Sequence, residues 1–272
     1  MSRVRVIAIN FTKMHGLGND FIVVDCRDGD PAPLDRLARL MCPRRTSVGA
    51  DGVIAICPSD KAVIRMRIFN ADGSEAEMCG NGIRCAAFYA GNLGLTDDID
   101  FDIETKAGIR HVRFLTGNRV EADMGQCSVG KPERIEVDGF DQVEVIPAST
   151  GNPHCVTFVT DVATAPVDTL GPRLERHPHW PEGANVEMVC TAAPGRLDVR
   201  VWERGVGETA ACGTGACAAA LAAASVGLSS FPCEVCLPGG TLTVDRSPGG
   251  SLLLTGPVAK VYQGTYYIEE YD

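Results

Sequence analysis

MRIFNADGSEAEMCGNG, residues 66–82, and VRVWERGVGETAACGTG, residues 199–215, are one segment written twice. Adding 133 to a position in the first gives its counterpart in the second, so Asn70 becomes Glu203, Glu75 becomes Glu208 and Cys79 becomes Cys212. The same offset relates LGNDFIV at Leu17 to TGNPHCV at Thr150, pairing Asn19 with Asn152. It also relates GADGVIAI at Gly49 to EGANVEMV at Glu182, pairing Gly52 with Asn185. Three motifs that hold one register over this distance mark a duplicated domain. A period this long is not a solenoid repeat.

Each half mixes strands with few helices. Alternating or apolar runs such as FIVVD, GVIAI, AVIRMRIF, IRHVRFL, HCVTFV, RLDVRVW, TLTVD, SLLLTG and VAKVYQG predict strands. One helix is expected directly after each Cys-Gly turn, over Gly80–Leu93 and Gly213–Gly227. A second is expected near LDRLARLMC and VDTLGPRLERH. Many strands and few helices per half give an α+β class, with a curved sheet wrapped on a helix. Gly, Ser and Pro collect in MGQCSVGKPE, which places the boundary between halves there. The predicted division is residues 1–124 plus 257–272 for the half carrying Cys79, and 125–256 for the half carrying Cys212.

Bulk properties narrow the function. The chain has 272 residues, 45% of them hydrophobic, and a net charge of −10, which argues against a nucleic-acid partner held by phosphate attraction. No apolar run approaches the roughly 20 residues that span a bilayer. The N-terminal MSRVRVIAINF reads as a strand and not as a signal peptide, so the sequon at Asn10 carries no meaning. Twelve cysteines without an export signal read as free thiols in a reducing cytoplasm.

In both MCGNGIRCAAF and ACGTGACAAAL a strand ends, a turn with two glycines follows, and a helix begins. Glycines let the backbone approach a ligand closely. The N–H groups at a helix start bind anions, here a substrate carboxylate, and the same partial charge is expected to lower the pKa of the neighbouring thiol. Each half thus offers one thiol beside one carboxylate cradle. A duplicated protein can bring such elements face to face across a pseudo-twofold axis. Inversion of a stereocentre needs this: one base removes the Cα proton and an acid on the opposite face returns one. Nothing in the chain suggests a pyridoxal or metal cofactor, so none is expected. Cys85 and Cys217, a turn or two into their helices, read as core thiols.

These residues resemble the diaminopimelate epimerase family. The likeness runs through FTKMHGLGNDFIVVD, RIFNADGSEAEMCGNGIRC, GNPHCV, EGANVEMV and VWERGVGETAACGTGACA, nearly the whole chain. About nine residues precede Phe11, near which the family usually begins. The resemblance implies two pseudo-symmetric domains, each a barrel-like shell of strands around a central helix, closing on substrate, with the last strand returning to the first domain. It implies conversion of LL-2,6-diaminopimelate to the meso isomer, serving lysine and peptidoglycan synthesis, with no cofactor. By position, Cys79 and Cys212 match the acid/base pair. Gly80, Asn81, Gly213 and Thr214 match the cradle of the reacting carboxylate. Asn19, Asn70, Asn152, Asn185, Glu203 and Arg204 match the remaining substrate contacts. His154, like Glu203, matches a residue supporting the site, and Tyr262 matches a tyrosine of a homodimer contact. The distal carboxylate of diaminopimelate suits Arg204 with amide donors, and its distal ammonium suits Glu203. One departure is Gly52, where some members carry a substrate-contacting glutamine.

Three other readings compete. Another two-cysteine isomerase of this fold is the nearest, a proline, hydroxyproline or histidine racemase or an aconitate-type isomerase. The flanks typical of the proline class are absent, and Arg204 suits a carboxylate better than an imidazole. GVGETA at Gly205 fits a dinucleotide-binding turn loosely, but its counterpart ADGSEAE lacks the glycines. Cys233 and Cys236 form one C-x-x-C, only two ligands towards a zinc site.

Overall fold

The computed structural model describes residues 4–271. The chain divides into two compact units: one holds the chain up to Ala122 together with everything from Pro257 onward, and the other is Asp123–Gly256.

In the first unit the strands Asn19–Asp25 and Gly52–Cys57 run parallel, with Phe21 opposite Gly52. The strand Ile64–Asn70 continues antiparallel, Val53 facing Phe69. In the second unit Pro153–Phe158 and Asn185–Ala193 are parallel with His154 opposite Asn185, and Arg196–Glu203 follows with Val186 facing Trp202. Each of these pairings repeats at the offset of 133, so the duplication survives as strand register. It also survives as an ion pair: Arg67 Nε lies 2.8 Å from Glu75 Oε1, and Arg200 Nε lies 2.6 Å from Glu208 Oε1. Each pair ties a central strand to the short strand leading into the Cys-Gly turn.

Four helices complete the units among the described residues: α1 Leu34–Met41, α2 Gly80–Asn92, α3 Val167–Glu175 and α4 Gly213–Ser225. Helix α4 is buried on every side through Ala216–Ala223. Its alanines offer no polar face, and a helix apolar all round belongs inside a sheet. It touches strands from Ser128–Val129 through Gly240–Arg246. Helix α2 sits likewise against the first unit's sheet, with Ile83, Cys85, Ala86 and Ala90 packed on Phe21, Ile54, Ile64 and Met66. Helices α1 and α3 cover the other side of their sheets, α1 through Leu34, Leu37, Ala38 and Met41 and α3 through Val167, Leu170 and Leu174. The α+β class and the helix-in-sheet plan read from the sequence are therefore present, and α2 and α4 end one and two residues before the expected positions.

The segment before Phe11 is not an appendage. It lengthens the first strand to Val4–Gly16, which pairs antiparallel with the last strand, Ala259–Tyr271, both within the first unit. Cys85 is fully buried, and burial pushes its thiol up to about 12. Cys217 is also fully buried.

Candidate active site

Each Cys-Gly turn places its cysteine as the N-cap of a helix. Cys79 has an extended backbone (φ −145°, ψ 121°), and its sulfur accepts the Gly82 N–H at 3.3 Å. Cys212 repeats this (φ −121°, ψ 117°), accepting the Gly215 N–H at 3.4 Å. The first N–H groups of a helix lack partners within it, and the sulfur takes the third. The second glycine of each turn is also closely packed. A Cβ on Gly82 would lie 2.9 Å from Ile68 Cδ1 and 3.3 Å from Cys79 Cβ. A Cβ on Gly215 would lie 2.8 Å from Glu187 Oε1 and 3.3 Å from Cys212 Cβ.

In the first unit Asn19 joins Cys79. Asn19 Oδ1 accepts from Asn81 Nδ2 at 3.2 Å and stands 3.8 Å from Cys79 Sγ, while its Nδ2 donates to Asp51 Oδ2 at 3.0 Å. Asp51 belongs to a charged network with Arg44, Asp20 and Lys13. Burial works to raise the Asp20 carboxyl, but its bonds to Arg44 and Lys13 outweigh it and hold the group well below the usual carboxylate range. Asn70 ends its strand opposite Gly52 and donates to Ser74 Oγ at 2.9 Å in an exposed turn. Gly52 is closely packed: a Cβ there would lie 2.6 Å from the Phe69 carbonyl oxygen.

In the second unit Cys212, Thr214, Glu203 and His154 share one neighbourhood. Cys212 Sγ lies 3.3 Å from Thr214 Oγ1. Burial first, and then the Glu203 carboxyl, push the Cys212 thiol well above its ordinary value. This corrects the expectation that the helix start lowers it: desolvation exceeds the field of the helix terminus. Burial also raises Glu203, whose Oε1 accepts from the Thr209 hydroxyl. His154 is fully buried, and its Nδ1 lies 2.7 Å from Oε1 of Glu187, itself fully buried. Its Nε2 lies 3.1 Å from Thr150 Oγ1 and 3.2 Å from Asn152 Oδ1.

Asn185 is occupied inside its unit. Its Oδ1 accepts the Arg204 N–H at 3.0 Å and its Nδ2 donates to the Pro153 carbonyl at 3.2 Å. The Arg204 side chain is exposed and donates through Nη1 to the Glu182 carbonyl at 2.9 Å. Cys233 and Cys236 stand three residues apart on the strand Cys233–Leu237, so they point to opposite faces and form no chelating pair. The rivalled dinucleotide turn at Gly205 leads into the short strand Gly207–Thr209 and not into a helix.

Asp51, Glu187, Thr150 and Thr209 were not singled out from the sequence. Glu187 did leave a signal. It is a carboxylate inside the apolar run NVEMV, at the position where the first half has Ile54.

A sequence profile described as diaminopimelate epimerase matches residues 11–129 and 147–261. The diaminopimelate epimerase of Moorella thermoacetica is 46% identical over 96% of this chain and 100% of its own length. That of Desulfitobacterium hafniense is 44% identical, covering 94% and 97%. The chain belongs to the diaminopimelate epimerase family. This family is one of isomerases, and with the profile covering both halves the dinucleotide and zinc readings fall away. Among solved structures, a phenazine biosynthesis protein of the PhzF family from Bacillus anthracis matches with TM-score 0.75 at 18% identity, over 96% of this chain and 99% of that one. A hydroxyproline epimerase from Agrobacterium vitis matches with TM-score 0.70 at 15% identity, over 98% and 94%. At such identities these establish the shared fold of the diaminopimelate epimerase family and its neighbours. No helix among the described residues is long and apolar enough to cross a membrane.

Proposed function

We propose that this chain interconverts LL- and meso-2,6-diaminopimelate by proton transfer at Cα, with Cys79 and Cys212 as the acid/base pair. The observation that carries the reading is the repeated N-cap thiol, one per unit, each at the start of a buried helix. Inversion needs a base on one face of Cα and an acid on the other, exchanging roles in the reverse direction. Cys212 rests as the thiol, because burial and Glu203 disfavour its charge. The N–H groups at Gly80, Asn81, Gly213 and Thr214 hold the reacting carboxylate as negative charge builds on it. Asn19, Asn70, Asn152, Asn185, Glu203 and Arg204 make up the rest of the binding machinery. Asn185 acts through the Arg204 backbone it holds, and His154 and Glu203 support the Cys212 half. Domain-wise, residues 1–124 with 257–272 supply Cys79, and residues 125–256 supply Cys212.

The enzyme works in the cytoplasm, and the meso product serves lysine and peptidoglycan precursor synthesis. It acts as a homodimer joined along the last strand, where Val261, Tyr262 and Tyr267 expose large apolar surface; Tyr262 packs edge-on against Phe11 at 5.8 Å. Nothing in the residues favours a histidine or proline racemase over this reading. The test is substitution: Cys79→Ala and Cys212→Ala each abolish epimerisation while circular dichroism stays unchanged. Either variant with near-native turnover would reduce its thiol to a structural role.

A further inference from the structure

The second unit buries a histidine–carboxyl pair that the first unit does without. Glu187 and His154 are both fully buried, while their counterparts at the offset of 133, Ile54 and Phe21, are core hydrophobics. A buried carboxyl is costly unless its bonds compensate, and Glu187 Oε2 has no hydrogen-bond partner among the described residues. The first unit closes with an isoleucine at the matching position. The bonded oxygen of Glu187 is the one with a definite contact.

That oxygen anchors His154 Nδ1 at 2.7 Å. Across the ring, Nε2, Thr150 Oγ1 and Asn152 Oδ1 form a triangle with sides of 3.1, 3.2 and 3.0 Å. The Thr150 hydroxyl has one hydrogen, and donating it to Asn152 Oδ1 closes one side only. The triangle is satisfied when Nε2 also carries a hydrogen. The carboxyl at Nδ1 permits this whether the shared proton sits on the ring or on Glu187. Asn152 Oδ1 then accepts from two donors, which fixes the amide. Among the described residues Asn152 Nδ2 makes no hydrogen bond, and it is the end left for a ligand.

We propose that Glu187 is a positioning residue. Through Nδ1 it fixes the His154 ring with Nε2–H against Asn152 and Thr150, so that Asn152 presents its NH2 group to a carboxylate oxygen of the substrate. The inference rests on the functional reading above for the identity of that substrate, but not for the arrangement of the three side chains.

The experiment has a ligand-free arm and a kinetic arm. In protein carrying 15N-histidine, with the His154 signals assigned by their loss in His154→Gln, Nε2 is protonated at neutral pH. A bare Nε2 overturns the proposal, and this arm does not depend on any Glu187 variant folding. In the kinetic arm, Glu187→Leu raises KM for diaminopimelate at least about tenfold, as for loss of one hydrogen bond to a charged group, with kcat largely kept. Glu187→Gln, which keeps a partner for Nδ1, restores most of that loss. In an Asn152→Ala background Glu187→Leu raises KM no further, because its effect runs through Asn152. Independent, additive losses in the two variants overturn the proposal. A wild-type protein that leaves diaminopimelate unchanged defeats the functional reading instead, and the Nε2 signal is untouched by that outcome.

Discussion

Asn185→Ala separates a residue that touches substrate from one that holds the wall of the site. Asn185 is only 5% exposed, and both ends of its amide are engaged, with the Arg204 N–H at 3.0 Å and the Pro153 carbonyl at 3.2 Å. These two bonds tie the start of one strand to its parallel neighbour and to the turn after Glu203. Alanine removes both. Each neutral bond contributes about 0.5–1.5 kcal/mol net, so the pair contributes about 1–3 kcal/mol. For a unit of this size that lowers Tm by roughly 4–12 °C. The freed turn carries Glu203 and Arg204, so KM for diaminopimelate rises as well. Thermal unfolding by calorimetry or circular dichroism, with kinetics on the same preparation, reads both effects. An unchanged Tm with only KM raised would show that the amide faces substrate directly, and that the bonds described here contribute nothing.

Asp20→Asn is expected to cost about 2 kcal/mol at pH 7, between an exposed pair and a buried one. Because the Asp20 carboxyl is held below its unfolded value of about 3.9, its contribution is complete above that pH and is lost as pH falls toward the folded value. The stability gap to wild type should therefore shrink below about pH 4; a constant gap from about pH 7 to pH 3 would contradict the network. Iodoacetamide at neutral pH should modify Cys79, which is partly exposed, before Cys212, which is buried and held as the thiol. Peptide mapping that finds Cys212 alkylated first would reverse that account. Gly52→Gln should destabilise the first unit by about 1–3 kcal/mol, since its Cβ meets a carbonyl oxygen, and a native Tm would show that the strands part easily.

The duplication and the helix after each Cys-Gly turn were legible because both are local patterns repeated at one offset. Cys79 and Cys212 could be named from the sequence because the turn that caps the helix is contiguous in the chain. The partners of the asparagines were not legible in this way. Asp51 reaches Asn19 across 32 residues and Glu187 reaches His154 across 33, and neither distance has a periodic signature. The raised thiol of Cys212 was also hidden. A helix start is visible in sequence, but the burial and the Glu203 carboxyl that outweigh it arise only once the unit has folded. The neighbours crowding Gly82 and Gly215, Ile68 and Glu187, were likewise not legible, because they come from other strands.

The central claim is proton exchange between two thiols and Cα, and one incubation tests it most directly. LL-diaminopimelate is held with the purified protein in deuterated water, under reducing conditions and without added cofactor. The account predicts meso product carrying deuterium at the inverted carbon. Meso product formed without solvent deuterium would contradict it, because the hydrogen would then have passed directly and not through a second acid.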